Sequence, residues 1–484
     1  MNYLDITYQV AIFIYYTVVV VICFRLLLQN RNPVKTTSYL IVLLLLPVAG
    51  LLVFLLFGQD YRKDKLFSRK GLQDHQFIQN WTQELIFKFD QEKKLINSHL
   101  YDWVKVARLV MSNEQTALTT RNRAWVLHNG QETFEEILNS IKSAQDHIHL
   151  EYYIVEDAEI TNQLFDLLKQ KARKGVEVRI IYDYVGSIGL SNASIDDLKA
   201  SGIQIFPFMP VRFPRLTSKV NFRDHRKIVI VDGTVCFLGG VNLADRYDNR
   251  FNQRYWRDTH LKIEGEATKT LQLLFLLNWK FASTEVVEPS KQYFPKGEAF
   301  NKITPIQITG SGPDSDWSSI MQGFFTAITE ANEKILITTP YFIPNESMLF
   351  AITTAVRAGI KVQMIIPKQS DSFLTEYATH SFLKGLLKAG VEVHQYTKGF
   401  IHSKTLVIDD KFCTVGTTNM DYRSFLTNFE VNAFIYDQEI TKILTNHFEQ
   451  DLKDSTPLTL EEWKKRPYFN RILESLARLF APLL

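Results

Sequence analysis

Two segments of this sequence align with each other without a gap, one beginning at His225 and the other at His402. HRKIVIVDGTVCFLGGVNLADR lies over HSKTLVIDDKFCTVGTTNMDYR. The polar and special residues that coincide are His225/His402, Lys227/Lys404, Asp232/Asp409, Cys236/Cys413, Gly239/Gly416, Asn242/Asn419 and Arg246/Arg423. Agreement of so many residues in register is not expected by chance. The sequence therefore predicts a body made of two copies of one structural unit.

The same order of elements surrounds both segments. In the first copy the helix-like FEEILNSIKSAQD precedes the strand-like HIHLEYYIV, and ITNQLFDLLKQKARKG precedes VEVRIIYDYV. In the second copy SIMQGFFTAITEANE precedes KILITTPYFI, and ESMLFAITTAVRAG precedes IKVQMIIP. Strands that alternate with helices of this length are typical of βαβ units. Each copy is therefore expected to be an α/β domain in which helices cover both faces of a sheet.

Two uncharged apolar runs lie near the amino terminus, at residues 6–24 and 36–59. About 20 helical residues cross a hydrocarbon core of roughly 30 Å, so we expect a two-helix transmembrane hairpin. Its helices are expected at about residues 6–24 and 38–57. A signal peptide is the alternative for the first run, but acidic Asp5 precedes it and no basic residue does. Basic residues after the second run, such as Arg62 and Lys63, favour a cytoplasmic body.

These patterns divide the chain into five predicted parts. They are the hairpin in residues 1–60, a helical linker in 61–125, a first α/β domain in 126–290, a second in 300–465 and an amphipathic helix in 466–484. The last segment, RPYFNRILESLARLFAPLL, places apolar residues at helical spacing. We expect this helix to pack on the body, with a position on lipid as the alternative.

Composition limits the partners and the redox setting. Lysine and arginine number 55 and aspartate and glutamate 52, a net charge of +3, so bulk charge does not predict a nucleic-acid coat. Any polyanion site must be local. Three cysteines are too few for a disulfide scaffold, and the apolar runs beside them favour buried thiols and a cytosolic setting.

The histidine and lysine of each copy suit phosphoryl transfer. In a strand, side chains two residues apart share a face, so each histidine projects together with its lysine. One neutral imidazole can attack phosphorus while a second, protonated imidazole delivers a proton to the leaving alkoxide. Lys227, Lys404, Asn242 and Asn419 are the candidate phosphate-binding residues. This chemistry requires no metal, and no metal-binding motif is visible in the sequence.

Acidic residues complete the candidate site. Asp232 and Asp409 complete the two motifs and are included with His225, Lys227, His402 and Lys404 among the candidate catalytic residues. Each follows an apolar strand at odd spacing, however, which favours a structural role over direct substrate contact. A further acid should orient each histidine. Glu430 is the candidate partner of His402, and Asp258 is the candidate partner of His225. Solvated acids that merely flank a strand are the alternative for both.

A basic and aromatic segment precedes the first motif. The stretch PFMPVRFPRLTSKVNFRDHRK interleaves six basic residues with three phenylalanines, namely Arg212, Arg215, Lys219, Arg223, Arg226, Lys227, Phe208, Phe213 and Phe222. Such a loop is expected to bind anionic headgroups while its rings enter the membrane interface. A solvated loop on a soluble surface is the alternative.

The duplicated H-x-K-x4-D motif resembles that of the phospholipase D superfamily. Within it the chain is similar to the bacterial cardiolipin synthases, through EYYI from Glu151, WRDTHLKIEG from Trp256, SGPD from Ser311, TPYFIP from Thr339 and NMDYRSFLTNFEVN from Asn419. The superfamily commonly has serine after the motif glycine. Here Thr417 keeps the hydroxyl in the second copy, whereas Gly240 lacks it in the first.

The resemblance implies two tandem phospholipase D-like α/β/α sandwich domains related by pseudo-twofold symmetry. It also implies transfer of a phosphatidyl group between two phosphatidylglycerol molecules, giving cardiolipin and glycerol without a cofactor. By analogy His225 is the nucleophile and His402 the acid, an assignment that the spacing leaves open. A hydrolytic phospholipase D, a nuclease and a non-catalytic membrane scaffold remain the alternatives, and the membrane spans oppose the nuclease.

Overall fold

The structure is a computed structural model that describes residues 3–28, 33–46, 48, 50, 51, 54, 100, 103–114, 117–211, 221–285, 287, 290, 292–295, 300, 303–315 and 317–484. Its helices are α1 Tyr3–Leu28, α2 Pro33–Leu45, α3 Val104–Glu114, α4 Asn129–Ser143, α5 Glu159–Arg173, α6 Asn192–Ala200, α7 Ala267–Ser283, α8 Ser319–Thr329, α9 Glu346–Arg357, α10 Phe373–Ala389, α11 Tyr422–Leu426, α12 Gln438–Lys453, α13 Leu460–Lys464 and α14 Tyr468–Leu479.

The strands fall into one group for each half of the body. Those of the first half are β1 Asn122–His128, β2 His147–Tyr152, β3 Glu177–Asp183, β4 Gln204–Phe208, β5 Lys227–Val231, β6 Val235–Gly239, β7 Tyr255–Arg257 and β8 Thr259–Gly265. Those of the second half are β9 Ile306–Ser311, β10 Lys334–Thr338, β11 Phe342–Ile343, β12 Lys361–Pro367, β13 Glu392–Tyr396, β14 Gly399–Ile401, β15 Thr405–Ile408, β16 Phe412–Gly416, β17 Met420–Asp421, β18 Glu430–Ile435 and β19 Ser455–Leu458.

The amino-terminal unit contains α1 and α2, which contact each other. Within α1, the stretch Ile6–Leu28 is long and apolar enough to cross a membrane, and among the described residues it is the one helix that meets this test. α2 includes the shorter apolar stretch Thr36–Leu45. The expected second span runs past α2 over residues 47, 49, 52, 53 and 55–57, which lie outside the described residues. Residues 61–99 of the expected linker also lie outside them.

Two mixed sheets form the body, and their strand orders match. The first sheet has the order β1-β8-β6-β5-β2-β3-β4, and the second has β9-β18-β16-β15-β10-β12-β13 with β19 added at its edge. In both, three neighbouring strands are parallel, and the motif strand β5 or β15 runs antiparallel to the first of them. The predicted duplication of an α/β unit is confirmed.

Each half has its own apolar core. Every residue of β2 and of β5 is buried, so both faces of the first sheet are covered. One core cluster is built mainly on the first sheet and a second is built on the second sheet. The helix α3 joins the second core, where Trp103 stacks on Phe412 with ring centroids 4.8 Å apart.

Short parallel pairings join the halves where the motifs lie. β14, which precedes the second motif, pairs with β7, and Asp224 forms a parallel bridge with Phe429. The last long helix of each half contacts the outer strand of the other sheet, α7 against β9 and α12 against β1. The segment before each motif histidine is therefore held by backbone from the opposite half.

Candidate active site

Backbone hydrogen bonds between the two halves hold both motif histidines in place. The amide of His225 donates to the carbonyl of Phe429 at 2.9 Å, and the amide of His402 donates to the carbonyl of Arg257 at 2.7 Å. Phe429 directly precedes Glu430, and Arg257 directly precedes Asp258. Each histidine is thus aligned with the candidate acid of the other half.

The histidine and acid pairs consequently cross between the halves. His225 Nδ1 lies 2.9 Å from Glu430 Oε2, and His402 Nδ1 lies 2.7 Å from Asp258 Oδ2. The sequence had paired Glu430 with His402 and Asp258 with His225, and this pairing is wrong. Its physical cause is the pairing of β7 with β14 and the bridge at Asp224, which exchange the partners.

Burial keeps both imidazoles neutral at neutral pH. Only 8% of His225 and 5% of His402 is exposed. Burial lowers the pKa of His225 to about 4, since Lys227 and Lys404 offset the opposing effect of Glu430. Burial, Lys404 and Lys227 together lower the pKa of His402 to about 4 against the opposing effect of Asp258. Because the lysine of each half affects the histidine of the other, the two motifs share one electrostatic site.

The two motif lysines are buried beside their histidines. Lys227 Nζ donates to the carbonyl of His225 and Lys404 Nζ to the carbonyl of His402, each at 2.6 Å. Burial lowers the pKa of Lys227 to about 7 and that of Lys404 to about 8. Lys404 Nζ also lies 3.0 Å from His402 Nε2. Among the described residues, no group binds His225 Nε2 in this way.

The two acids have different surroundings. Thr417 Oγ1 donates to Glu430 Oε2 at 2.5 Å, and Val431 N donates to Thr417 Oγ1 at 3.0 Å. Asp258 Oδ1 instead accepts the backbone amide of Thr259 at 2.8 Å. A Cβ at Gly240, the position equivalent to Thr417, would lie 1.9 Å from Asp258 Oδ1. The missing hydroxyl of the first motif therefore leaves the space that the Asp258 carboxylate occupies.

Burial by itself raises the pKa of both acids, but their partners reverse that shift. His402 and then Lys404 lower the pKa of Asp258 below its usual value. His225 and then Lys227 lower the pKa of Glu430 in the same way, helped by the hydrogen bond from Thr417. Both acids are therefore carboxylates at neutral pH, able to hold a proton on the Nδ1 atom of the opposite half.

The motif aspartates are structural anchors at the far ends of their strands. Asp232 follows β5 and accepts the backbone amides of Gln145, Asp146 and His147, which lead into β2. Asp409 follows β15 and accepts three corresponding amides, of Asn332, Glu333 and Lys334. Their inclusion among the catalytic residues is thus corrected, because these contacts fasten the motif strand to the start of its neighbour.

The two candidate phosphate-binding asparagines have different hydrogen-bond partners. Asn242 Nδ2 donates to the hydroxyl of Tyr247 at 2.6 Å, and Asn242 Oδ1 accepts the amide of Ile154 at 3.1 Å. Asn419 is buried beside Asp421, and its hydrogen bond lowers the pKa of that carboxyl against the larger rise caused by burial. Contact of either asparagine with phosphate remains a prediction.

Aromatic rings that sequence reasoning did not assign surround both imidazoles. The Tyr153 ring lies edge-on to His225 with centroids 4.8 Å apart. The rings of Trp256 and Tyr247 lie 5.4 and 5.6 Å from that of His402. Two of these rings could have been found from their positions in the sequence. Tyr153 follows Glu151 and Tyr152 at the end of β2, and Trp256 lies two residues before Asp258. These rings desolvate the histidines.

The basic loop differs from the expectation where it is described. Phe208 and Phe222 are buried in the body, and Arg223 is buried against Asp183, with Nη1 3.2 Å from Oδ1. Arg226 is buried too and donates to the carbonyl of Glu430 at 3.2 Å. These four side chains hold the fold rather than lipid headgroups, because burial removes them from the surface. The remaining loop residues Arg212, Phe213, Arg215 and Lys219 lie outside the described residues.

No cluster of three or more histidine, cysteine, aspartate or glutamate side chains is arranged to hold a metal ion in the part of the chain that the structure describes.

Two family models match the chain, in three regions. Residues 137–257 and 324–452 match a model described as "Cardiolipin synthase, PLD-like domain". Residues 14–59 match one described as "Phospholipase_D-nuclease N-terminal". The two matches to the first model contain the motif histidines of the two halves.

Curated relatives and a solved structure agree with this match. A cardiolipin synthase of Geobacillus sp. (strain WCH70) is 40% identical over 96% of this chain and 92% of its own length. The major cardiolipin synthase of Bacillus subtilis (strain 168) is 38% identical over 94% of this chain and 95% of its own length. The crystal structure of phosphatidylserine synthase from Haemophilus influenzae Rd KW20 has a TM-score of 0.60 at 15% identity, over 78% of this chain and 100% of that one. That last similarity concerns the fold alone.

Proposed function

The chain belongs to the cardiolipin synthase family of phospholipase D-like phosphatidyltransferases, and from that membership we propose how its two halves divide the reaction. One phosphatidylglycerol donates its phosphatidyl group to a second, giving cardiolipin and glycerol through a phosphohistidine intermediate. The observation that carries the proposal is the crossed pairing of two buried, neutral imidazoles with two carboxylates. Since one phosphodiester replaces another, the exchange needs no nucleotide.

The contacts of the two Nε2 atoms support different roles for the histidines. The lysine contact at 3.0 Å engages the Nε2 atom of His402, so its lone pair is less available to attack phosphorus. In the described residues His225 Nε2 has no such partner, and burial holds its pKa near 4, so its lone pair is available at neutral pH. We therefore assign His225 as the nucleophile and His402 as the general acid and base.

In the first step, His225 Nε2 attacks the phosphorus of the donor lipid. A P–N bond forms while the bond from phosphorus to the headgroup glycerol oxygen breaks. His402 gives its Nε2 proton to that oxygen, and glycerol leaves. The bound phosphodiester anion favours the protonated form of His402.

In the second step, a headgroup hydroxyl of the acceptor lipid gives its proton to His402 Nε2. Its oxygen attacks phosphorus, the P–N bond breaks and cardiolipin is formed. Lys227 and Lys404 offset the charge of the non-bridging oxygens in both steps, and Asn242 and Asn419 are proposed to add hydrogen bonds. Glu430 and Asp258 hold the Nδ1 protons of His225 and His402 and stabilise positive charge on those rings.

The reaction is tested with the purified full-length chain in vesicles that contain phosphatidylglycerol. We expect glycerol and cardiolipin in equal amounts, and a phosphatidyl adduct on His225 after rapid denaturation at alkaline pH, detected by intact mass and peptide mapping. His225→Ala should lose the adduct, and each histidine variant should lose activity by at least about ten-thousandfold.

Other products would identify the alternatives. Phosphatidic acid in place of cardiolipin indicates a hydrolase, and cleavage of oligonucleotides indicates a nuclease. Unchanged product formation in the double variant His225→Ala/His402→Ala would indicate a scaffold and overturn the proposal.

We also propose that the amino-terminal unit spans the cell membrane twice and leaves the body in the cytoplasm. The length and apolarity of Ile6–Leu28 support the first span, and the uncharged run at residues 36–59 supports the second. The exposed Lys174 offers a test. In intact cells, a membrane-impermeant maleimide should leave Lys174→Cys unlabelled until the cells are lysed, whereas labelling of intact cells would place the body outside.

A further inference from the structure

The carboxy-terminal helix α14 is amphipathic, but its apolar side faces outward. Its large apolar residues are among the most exposed in the body, with Tyr468 75% and Leu479 74% exposed. The exposed set is Tyr468, Phe469, Ile472, Leu476, Leu479 and Phe480. The buried residues of the same helix are Glu474 and Ala477. Helices that pack on a soluble body bury the opposite side, so this orientation calls for an apolar environment outside the protein.

Polar contacts hold α14 in this orientation. The Glu474 carboxylate is buried in a two-point ion pair with Arg466, with distances of 2.6 and 2.5 Å. The Arg478 guanidinium lies over the Phe382 ring of α10, 4.5 Å from its centroid. Beyond the helix, the amide of Arg423 donates to the carbonyl of Leu484 at 2.9 Å. Turning the apolar face inward would break the buried ion pair, so the outward orientation is built into the fold.

This surface lies beside the edge of the body that carries the active site. Arg423, which binds the end of the chain, lies four residues after Asn419 of the second motif. The neighbouring helix α10 begins at Phe373, a residue that is 68% exposed. Two residues earlier, Asp371 accepts the hydroxyl of Tyr341 at 2.7 Å and raises the pKa of Lys404 against the larger effect of burial. The ends of both helices thus approach the second half-site.

The charged residues around the apolar face of α14 favour a lipid surface over another protein as its partner. From residue 460 to the end, the basic residues are Lys464, Lys465, Arg466, Arg471 and Arg478, and the acidic ones are Glu461, Glu462 and Glu474. Glu474 is neutralised by Arg466 inside the body, and Lys464, Lys465 and Arg471 are exposed. An apolar helix face with basic flanks fits the interface of an anionic bilayer. Two copies of the same face would instead bring like charges together.

We propose that the apolar face of α14 lies in the interface of the bilayer that supplies the lipid substrate. The identity of that bilayer rests on the proposed function, whereas the lipid contact itself does not. The face holds the second half-site against the membrane, so that a headgroup reaches the histidines while its acyl chains remain in lipid.

A probe on α14 tests the contact without reference to activity. The full-length chain, carrying Cys23→Ser to remove the half-exposed thiol, keeps Cys236 and Cys413, which are buried. An environment-sensitive fluorophore is attached at Leu476→Cys, or at Ile443→Cys as the control. Ile443 is apolar and 41% exposed on α12. Both proteins are reconstituted in vesicles of phosphatidylcholine and phosphatidylglycerol, with or without brominated acyl chains.

We expect the Leu476 probe to emit at shorter wavelength than the control, to lose about half of its emission to brominated lipid and to resist aqueous iodide. Iodide quenching equal to that of the control would overturn the proposal. So would shielding from iodide without quenching by brominated lipid, because that result indicates a protein contact such as a second copy.

An activity measurement separates this inference from the proposed reaction. Leu476→Glu should reduce product formation about tenfold in vesicles and less than twofold in mixed micelles, where lipid reaches the site without docking. Ile443→Glu should change neither. Equal losses of Leu476→Glu activity in vesicles and micelles would contradict docking, whereas absence of any product from the unmodified chain would contradict the reaction and leave the probe result standing.

Discussion

The two halves of the active site hold equivalent histidines with different acids. In the half-site of His402 the acid is the short Asp258, which comes close because Gly240 has no side chain; a Cβ there would lie 1.9 Å from its Oδ1. In the half-site of His225 the acid is the longer Glu430, and Thr417 fills the equivalent space and donates to it at 2.5 Å. The longer acid thus lies beside the larger neighbour and the shorter acid beside the glycine, so both imidazoles keep an Nδ1 partner.

The side chains that flank the two histidines also differ in charge. Before His225, Asp224 is fully buried near Glu151 and Arg226, and burial and then Glu151 raise its pKa. Asn278 Nδ2 donates to Glu151 Oε1 at 2.7 Å. The counterpart of Arg226 in the second half is Ser403, whose hydroxyl donates to Thr259 Oγ1 at 2.7 Å. The first histidine is therefore supported by a buried charged network and the second by a neutral hydrogen bond.

Among changes to the groups around the histidines, the largest effect is expected from neutralising the acids separately. Glu430→Gln and Asp258→Asn should each reduce turnover of phosphatidylglycerol about a thousandfold, because an amide cannot stabilise positive charge on the imidazole. A donor lipid that carries a p-nitrophenol leaving group distinguishes the roles, since that group departs without a proton. Its release should be largely restored in Asp258→Asn, which affects His402, and should remain slow in Glu430→Gln, which affects His225.

The control for the two acid variants is a carboxylate outside the active site. Glu156 forms a partly exposed ion pair with Arg246 at 2.8 Å, so Glu156→Gln should stay within about twofold of the unmodified chain. Restoration in Glu430→Gln instead of Asp258→Asn would reverse the assignment of nucleophile and acid.

Adding a methyl group at Gly240 is expected to have the next largest effect. Gly240→Ala should displace the Asp258 carboxylate and reduce turnover about a hundredfold, measured as initial rates of glycerol release. Gly385→Ala is the matched control, because a Cβ at that helical position meets nothing within 4 Å. It should retain activity and raise the free energy of unfolding by about 0.5–1 kcal/mol. Full activity in Gly240→Ala would argue against close contact between residue 240 and Asp258.

Removing the hydroxyl of Thr417 should have a smaller effect. Thr417→Val removes one hydrogen bond to Glu430 but leaves the carboxylate on His225, so we expect about a tenfold loss of turnover. Thr417→Ser should restore the rate to within about twofold, because it keeps the donor. If valine and serine reduce the rate equally, packing rather than the hydrogen bond explains the effect.

The smallest effect concerns pH. His225 must be neutral to attack and His402 must be protonated to act as the acid, so kcat/KM should be highest near pH 4, the pKa of both imidazoles. The lysines bind phosphate as cations, so kcat/KM should also fall as pH rises through about 7 and 8, the pKa values of Lys227 and Lys404. Bound phosphodiester favours the charged lysines, so the alkaline limb of kcat should lie about one pH unit higher. An alkaline limb near the usual lysine pKa in both profiles would contradict this reading.

Much of the fold was predictable because it repeats locally encoded patterns. The strand HIHLEYYIV contains β2, and the helix ending at Gly175 corresponds to α5, which ends at Arg173. Strand KILITTPYFI was divided into β10 and β11, since Pro340 cannot donate to a ladder. The crossed acids were not predictable, because Asp258 and Glu430 follow their own motifs in the chain. Only the pairing of β7 with β14 and the bridge between Asp224 and Phe429 bring each acid to the other histidine.

Two α/β halves, a histidine and a lysine in each, and an apolar amino terminus can all be read along the chain, because periodicity and repetition are properties of neighbouring residues. Only the folded chain shows which acid serves which histidine, that Arg223 and Arg226 are buried, and that α14 turns its apolar side outward. These depend on contacts between distant segments. The partner of each histidine, the burial of the arginines and the orientation of α14 are set when separate elements pack together and exclude water. Residue spacing along the chain does not specify that packing.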